Sequence, residues 1–143
     1  MALGDSKTFP AKTFEIGGTD LSNALVSCQI TQASQLSPSV FTAGDDWQKG
    51  NEPTSKKSFV CQVELLLGEF GTGSVHALMS AGQAALQTFK VSASSEDTSA
   101  TNPEWTFKAA VPEMMPFGGG GLSDNVMQSF TLTAVGSVTE ATS

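Results

Sequence analysis

Hydrophobic and polar side chains alternate along most of this chain, the period of a β-strand with one packed face and one polar face. The alternation is clearest over 59–67. It also places Val26, Cys28 and Ile30 on one packed face, continued more weakly through 32–36. Strands are therefore predicted at 13–16, 26–36, 59–67, 87–93, 105–111 and 126–138.

One short segment has a helical period instead. Val75, Leu78 and Met79 stand at i, i+3 and i+4, which forms a single apolar stripe. Thr72 or Ser74 can cap the start, and a glycine follows at 82. The sequence therefore predicts one helix over 74–81.

The order of these elements predicts the fold class. Strands separated by turns, with no alternation of strand and helix, favour an antiparallel β-sandwich or β-barrel over a parallel sheet. The expected fold is all-β with one short α-helix, and the length of 143 residues suits a single domain over 1–143. The unpatterned residues 1–12 are expected to form a mobile N-terminal arm.

A long segment without periodicity covers 39–58 and is expected to be a loop. Loops of this length in a small domain are usually functional or disordered. Trp47 near its centre either docks on a partner, as tryptophans at interface hot spots do, or folds back over its own domain. The inter-subunit contact candidates are Thr42, Gly44, Asp45, Asp46, Trp47, Lys49, Asn51, Glu52, Lys56 and Lys57.

Charge is scarce and its balance is acidic. Only 15% of residues are charged, and the net charge is −7 with seven lysines and no arginine. Ordinary soluble domains are about 25% charged. The shortage indicates either a surface covered by protein contacts or a hydroxyl-rich exposed coat. Without arginine, and with so few lysines, the chain is a poor candidate for stable binding of DNA or RNA.

Residues for catalysis or metal binding are few. His76 is the only histidine and has no acidic residue at i+3 or i+4, and no G-x-S-x-G motif is present. Cys28 and Cys61 have no C-x-x-C spacing and fall on apolar strand positions, so buried thiols are expected. The glycine run 118–121 lacks the Lys-Ser/Thr pair of a phosphate loop. We expect no enzyme activity, no cofactor and no metal.

The sequence predicts neither a membrane span nor a signal peptide. No segment approaches the roughly 20 apolar residues of a membrane span. The N-terminus lacks the apolar core of a signal peptide. Synthesis in the cytoplasm, reduced cysteines and no membrane binding are therefore expected.

Several segments together resemble the major tail tube proteins of long-tailed bacteriophages. They are Phe-Glu-Ile-Gly-Gly-Thr-Asp at 14–20, Thr-Ala-Gly-Asp-Asp at 42–46, the strand and helix over 59–78, Ser-Ala-Thr-Asn-Pro-Glu-Trp-Thr at 99–106, and Phe-Thr-Leu-Thr-Ala-Val-Gly-Ser-Val-Thr at 130–139. The likeness covers roughly 13–139. The chain departs from the commoner pattern, which has an aromatic residue before the Gly-Asp and an arginine in the loop.

The resemblance implies a structural virion protein. Such proteins form a β-sandwich or β-barrel with a flanking helix, assemble into homo-hexameric rings and stack into a hollow tube. The long loop and the terminal arm bridge adjacent rings, a tape-measure protein sets the tube length, and tail-tip and terminator proteins bind the ends. DNA is only a transient cargo, so the expected location is the phage tail, after synthesis in the host cytoplasm.

Other functions remain open at this point. A monomeric or dimeric ligand-binding β-sandwich could use Trp47 and Trp105 as carbohydrate platforms, although Trp105 falls on an apolar strand position. Another virion part is the third alternative: a tail terminator, a head-decoration protein or a contractile injection tube. For a tube, the acidic balance predicts a neutral-to-negative inner wall that is not dominated by Lys90 or Lys108.

Overall fold

The computed structural model describes residues 13–44, 46–68, 71–94, 97–115 and 126–142. The arm predicted at 1–12 and the glycine run 118–121 lie outside these ranges. Across the described ranges, two antiparallel sheets pack together and are accompanied by one short α-helix. The predicted fold class, an all-β antiparallel sandwich with one short α-helix, is therefore confirmed.

The elements follow the chain in a simple order. They are β1 (Thr13–Ile16), β2 (Thr19–Asp20), β3 (Leu25–Leu36), β4 (Pro53–Leu66), α1 (Val75–Ala81), β5 (Gln87–Ser92), β6 (Glu104–Ala109), β7 (Met127–Thr133) and β8 (Thr139–Ala141). In the described parts of the chain, one sheet has the order β2-β1-β5-β6-β8 and the other the order β3-β4-β7. We call them the five-stranded and the three-stranded sheet.

Aromatic rings join the two sheets at the centre of the sandwich. Phe14, Phe89 and Phe107 come from neighbouring strands of the five-stranded sheet, with successive ring centroids 5.7 and 5.6 Å apart. Phe59 of the three-stranded sheet lies 5.1 Å from Phe107 in a tilted arrangement. Aromatic pairs at such separations contribute about 0.5–1.5 kcal/mol beyond the area they bury.

The helix α1 has the predicted start. The Ser74 hydroxyl accepts a hydrogen bond from the Ala77 backbone N–H at 3.1 Å, which makes Ser74 the N-cap. Met79 is fully buried in the sandwich core. Gly82 follows the helix with an ordinary right-handed conformation, and a Cβ there would lie 2.4 Å from Val111 Cγ2. Close packing therefore requires the glycine.

The predicted loop 39–58 is wrong at its C-terminal end. β4 begins at Pro53, so 53–58 form a strand paired with the far end of β3. The side chains of 31–36 are exposed, and so are those of 53–58 apart from half-buried Thr54. Since neither face of this pair is covered, the strand has no apolar alternation to reveal it.

The last predicted strand, 126–138, is also corrected. β7 ends at Thr133, and β8 begins at Thr139 in the other sheet. Between them the chain turns at Gly136, where φ is 81°. The Val135 N–H donates to the Lys108 carbonyl at 2.8 Å, so this corner connects the two sheets.

The packed face predicted for β3 is only partly right. Cys28 is buried and Ile30 half-buried, but Val26 is 48% exposed. A register shift against β4 between Leu25 and Ser27 turns Val26 outward. The inward phase predicted to continue over 32–36 meets no covering layer, because those side chains are exposed.

Candidate assembly interface

The hairpin of β3 and β4 extends well past the buried core. The last buried core residue towards its turn is Phe59, which pairs with Gln32. Beyond that pair the strands continue to Leu36 and back from Pro53. At about 3.3 Å per residue, 33–36 add roughly 13 Å of exposed ladder. We call the paired segments 33–40 and 49–58 the arm, which is distinct from the N-terminal arm predicted at 1–12, and the connecting residues 41–48 the tip.

Backbone hydrogen bonds keep the arm together up to the tip. The Ser37 N–H donates to the Glu52 carbonyl at 2.8 Å, and the Asn51 N–H donates to the Ser37 carbonyl at 3.0 Å. Gly50 has a φ of 84°, and a Cβ there would lie 2.0 Å from the Pro38 carbonyl oxygen. The close approach of the two strands at this point therefore requires glycine.

Large apolar side chains crowd the end of the arm without cover from the described part of their own chain. Trp47 is 84% exposed and Phe41 68% exposed. Leu36 and Val40 are exposed as well. Scattered exposed apolar residues are ordinary on a protein surface, but a cluster at a protruding end is typical of a contact site.

The predicted contact residues divide between the tip and the arm. Thr42, Gly44, Asp46 and Trp47 lie in the tip and are exposed, whereas Asp45 lies outside the described residues. The arm carries the rest: Lys49, Asn51, Glu52, Lys56 and Lys57.

Alternation along β4 sends Lys56 and Lys57 to opposite faces of the arm. Sequence reasoning missed Phe41. The adjacent pair Val40-Phe41, directly before a run of turn-forming residues, was the available signal.

The three-stranded sheet has two long outer strands with unpaired edges in the described structure. β3 (Leu25–Leu36) and β7 (Met127–Thr133) lie on either side of β4. Neither strand contains a charged residue, a proline or a glycine. Natural monomeric proteins protect sheet edges with such residues or with very short strands. The outer strands of the five-stranded sheet, β2 and β8, are short, so among the described strands the long edges belong to the three-stranded sheet.

The outer faces of the two sheets differ in charge. Towards solvent, 27–31, 60–66 and 127–133 of the three-stranded sheet present mainly hydroxyl and amide groups, with Glu64 the one charged residue of those segments. The Ser129 hydroxyl donates to the Glu64 carboxylate at 3.2 Å. On the five-stranded sheet, Glu15 pairs in register with Lys90, and Lys108 lies on the same face.

A cleft of about 410 Å³ opens between the sheets at the base of the arm. Its apolar lining comes from Phe59, Trp105, Ala134 and Val138, and serine and glutamine side chains line much of the rest. Lys57 of β4 and Glu140 of β8 supply the two charges of its described lining. Trp105 is half-buried and packs against the core, as its apolar strand position predicted, yet part of it faces this cleft. We call this opening the inter-sheet cleft.

The two cysteines lie inside the sandwich and away from these surfaces. Their sulfur atoms are 3.8 Å apart on the adjacent strands β3 and β4, and both residues are buried, as predicted. The hydrogen bond between Cys61 and Cys28 and, after it, burial favour the protonated thiol and raise the pKa of Cys61. A thiol held protonated in this way is a poor nucleophile and metal ligand.

Metal-ligand clusters and long apolar helices are both absent from the described residues. They contain no group of three or more His, Cys, Asp or Glu side chains placed to hold a metal ion. Within the same ranges, no helix has the length and apolar character needed to cross a membrane. The surfaces considered as the candidate site are the tip, the two sheet edges and the inter-sheet cleft.

Comparison with known proteins adds no family assignment. No protein-family model matches this chain, and no curated protein matches it. The likeness to phage tail tube proteins thus rests on the sequence segments quoted above.

Proposed function

We propose that this chain is a structural virion protein that self-assembles into hexameric rings stacked into a phage tail tube. The observation that carries the proposal is the pair of unprotected edges on the three-stranded sheet. β3 and β7 form opposite edges of one sheet, so the β7 edge of one copy can pair with the β3 edge of the next. Contacts between two different surfaces of the same chain generate rings or filaments, not closed two-fold dimers.

In this arrangement, the outer face of the three-stranded sheet lines the lumen of the tube. If the three-stranded sheets of successive copies join edge to edge, their outer faces form one continuous wall. That face presents hydroxyls, amides and Glu64 over the segments described above, which suits a wall that DNA passes without binding. Lys90 and Lys108 then lie on the other sheet, away from the lumen.

The scarcity of charge supports the same function. A subunit enclosed by neighbours in its ring and in adjacent rings leaves little surface in water, and protein contacts are depleted in charged residues. In this proposal the partners are other copies of the chain, a tape-measure protein and the proteins at the two tube ends, with DNA as transient cargo.

The principal alternative is a ligand-binding sandwich with Trp47 and Trp105 as stacking platforms. The tip carries Trp47 at the far end of the arm, whereas Trp105 lines the cleft at its base. Two platforms separated by the length of the arm do not form one sugar site. This separation favours the assembly proposal.

Sedimentation velocity and negative-stain microscopy across a wide concentration range test the proposal. We expect rings or tubes at high concentration. A double variant with lysines on both edge strands, Gln29→Lys/Thr131→Lys, should stay folded and monomeric, because charged residues block edge pairing. Thr19→Lys on the short strand β2 is the matched control and should assemble. A wild-type protein that remains at 14.8 kDa throughout would refute the function.

A further inference from the structure

The tip and the inter-sheet cleft are complementary surfaces at opposite ends of the same arm. The tip presents an indole that is 84% exposed, and the cleft offers apolar side chains, another indole among them, within a lining that is otherwise largely polar. The cleft volume, about 410 Å³, falls in the range of pockets that enclose a ligand of several rings. An aromatic side chain therefore fits the space.

Charges flank both surfaces in a matching way. In the tip and its first ladder residue, the acidic Asp46 and the basic Lys49 stand on either side of Trp47. In the cleft, the basic Lys57 and the acidic Glu140 lie on opposite walls, on strands of different sheets. In one of the two orientations of the tip, docking of Trp47 would bring Asp46 towards Lys57 and Lys49 towards Glu140. Such complementarity fixes orientation and excludes wrong partners.

The tip of a chain does not reach its own cleft. Gln32 lines the cleft, and Val40 lies at the far end of the arm, where it forms an isolated bridge with Lys49. The eight intervening steps span roughly 26 Å at about 3.3 Å per residue. Backbone hydrogen bonds hold the arm extended over that distance. A tip that enters the cleft must therefore belong to another copy.

We propose that the tip of one subunit inserts Trp47 into the inter-sheet cleft of a subunit in the next ring, with Asp46 facing Lys57. This inference rests on the proposed function and names the surface that receives the arm. Tip and cleft are different surfaces of the same chain, so their contact can repeat from copy to copy. In this proposal it joins successive rings, while the sheet edges build each ring.

Charge exchange tests the contact. Asp46→Lys and Lys57→Asp should each raise the concentration needed for tube formation by about tenfold or more, as expected for reversal within a docked charge pair. The double variant Asp46→Lys/Lys57→Asp should return to within about threefold of wild type.

Lys56 provides the matched control, since it neighbours Lys57 but lies on the other face of the arm. Lys56→Asp makes the same change in formal charge as Lys57→Asp. The double variant Asp46→Lys/Lys56→Asp should still need a higher concentration than wild type to form tubes. Equal recovery in both double variants, or in neither, would overturn the docking.

A second measurement maps the contact without altering a charge. Single variants Gln48→Cys and Ser137→Cys, mixed and treated with a short bismaleimide, should give a cross-linked dimer only when assembled. Thr131→Cys replaces Ser137→Cys in the control mixture, because Thr131 lies on the outer face of the three-stranded sheet. Tubes that form without the Gln48–Ser137 cross-link overturn the docking and leave the proposed function standing. Wild-type protein that forms no tubes overturns both.

Discussion

Val40 and Lys49 hold each other across the end of the arm: each backbone N–H donates to the other's carbonyl oxygen at 2.8 Å. A pair that exchanges both hydrogen bonds is the geometry from which a two-residue hairpin turn closes. The chain instead inserts the whole tip, 41–48, between these residues. Two turn residues would be enough to close this hairpin, but eight are present, and they include Phe41 and Trp47.

Replacement of 41–48 by Asn-Gly therefore separates folding from assembly. The variant should fold with a melting temperature within a few degrees of wild type, because the tip side chains named above are exposed and the ladder below them is kept. It should not form tubes. Circular dichroism with thermal melting measures the first expectation, and sedimentation the second. Normal tubes from this variant would remove the tip from the mechanism.

A matched pair of charge reversals tests which sheet lines the lumen and what charge the lumen wall carries. Glu64→Lys places a ring of lysines on the outer face of the three-stranded sheet, whereas Glu104→Lys makes the same change on the five-stranded sheet. Tubes of Glu64→Lys should retain fluorescent DNA at low salt and release it at high salt, since phosphate contacts weaken as salt rises. Wild-type and Glu104→Lys tubes should retain much less. The reverse order would place the other sheet at the lumen.

The buried thiol of Cys61 predicts a loss of stability in alkali. Its folded-state pKa is raised, by the hydrogen bond with Cys28 and by burial. The contribution of this thiol to the free energy of unfolding is therefore fully present below the unfolded thiol pKa of about 8.5. Above that pH it declines, because the unfolded chain then binds fewer protons than the folded chain. The slope should approach about 1.4 kcal/mol per pH unit for this one group.

Urea unfolding at several pH values between 7 and 10 measures this slope. Cys61→Val keeps a similar apolar volume without the titrating group, so the difference in slope between this variant and wild type isolates the thiol. An identical decline in both proteins would show that Cys61 does not stay protonated in the folded state.

Much of the sandwich was predictable from local pattern. Apolar residues at every second position over 59–67 correctly predicted a strand whose alternate side chains enter the core, because one-sided burial imposes a period of two. Ser74 was one of two predicted caps, with Thr72, because a hydroxyl before an apolar helical stripe can satisfy a backbone N–H locally. The burial of Cys28 and Cys61 followed from their strand phase.

Other features depended on partners distant in the chain. Residues 53–58 form a strand because β3 supplies backbone hydrogen bonds, and such bonds leave no side-chain pattern when both faces are exposed. Val26 points outward because of a register shift that only the pairing with β4 defines. In the sequence, Gly82 suggested the end of a helix. In the structure, it allows close packing, because a Cβ at this position would clash with the Val111 side chain.

The candidate site divides in the same way. The apolar and acidic character of the tip, the shortage of charge, and the absence of charged residues, proline and glycine from the segments that become β3 and β7 are all evident from the residues in order. That those two segments are opposite edges of one sheet, and that Lys57, Trp105 and Glu140 line one cleft, depends on the fold. Composition and period report how a segment meets water, whereas edges and clefts arise because distant segments pair.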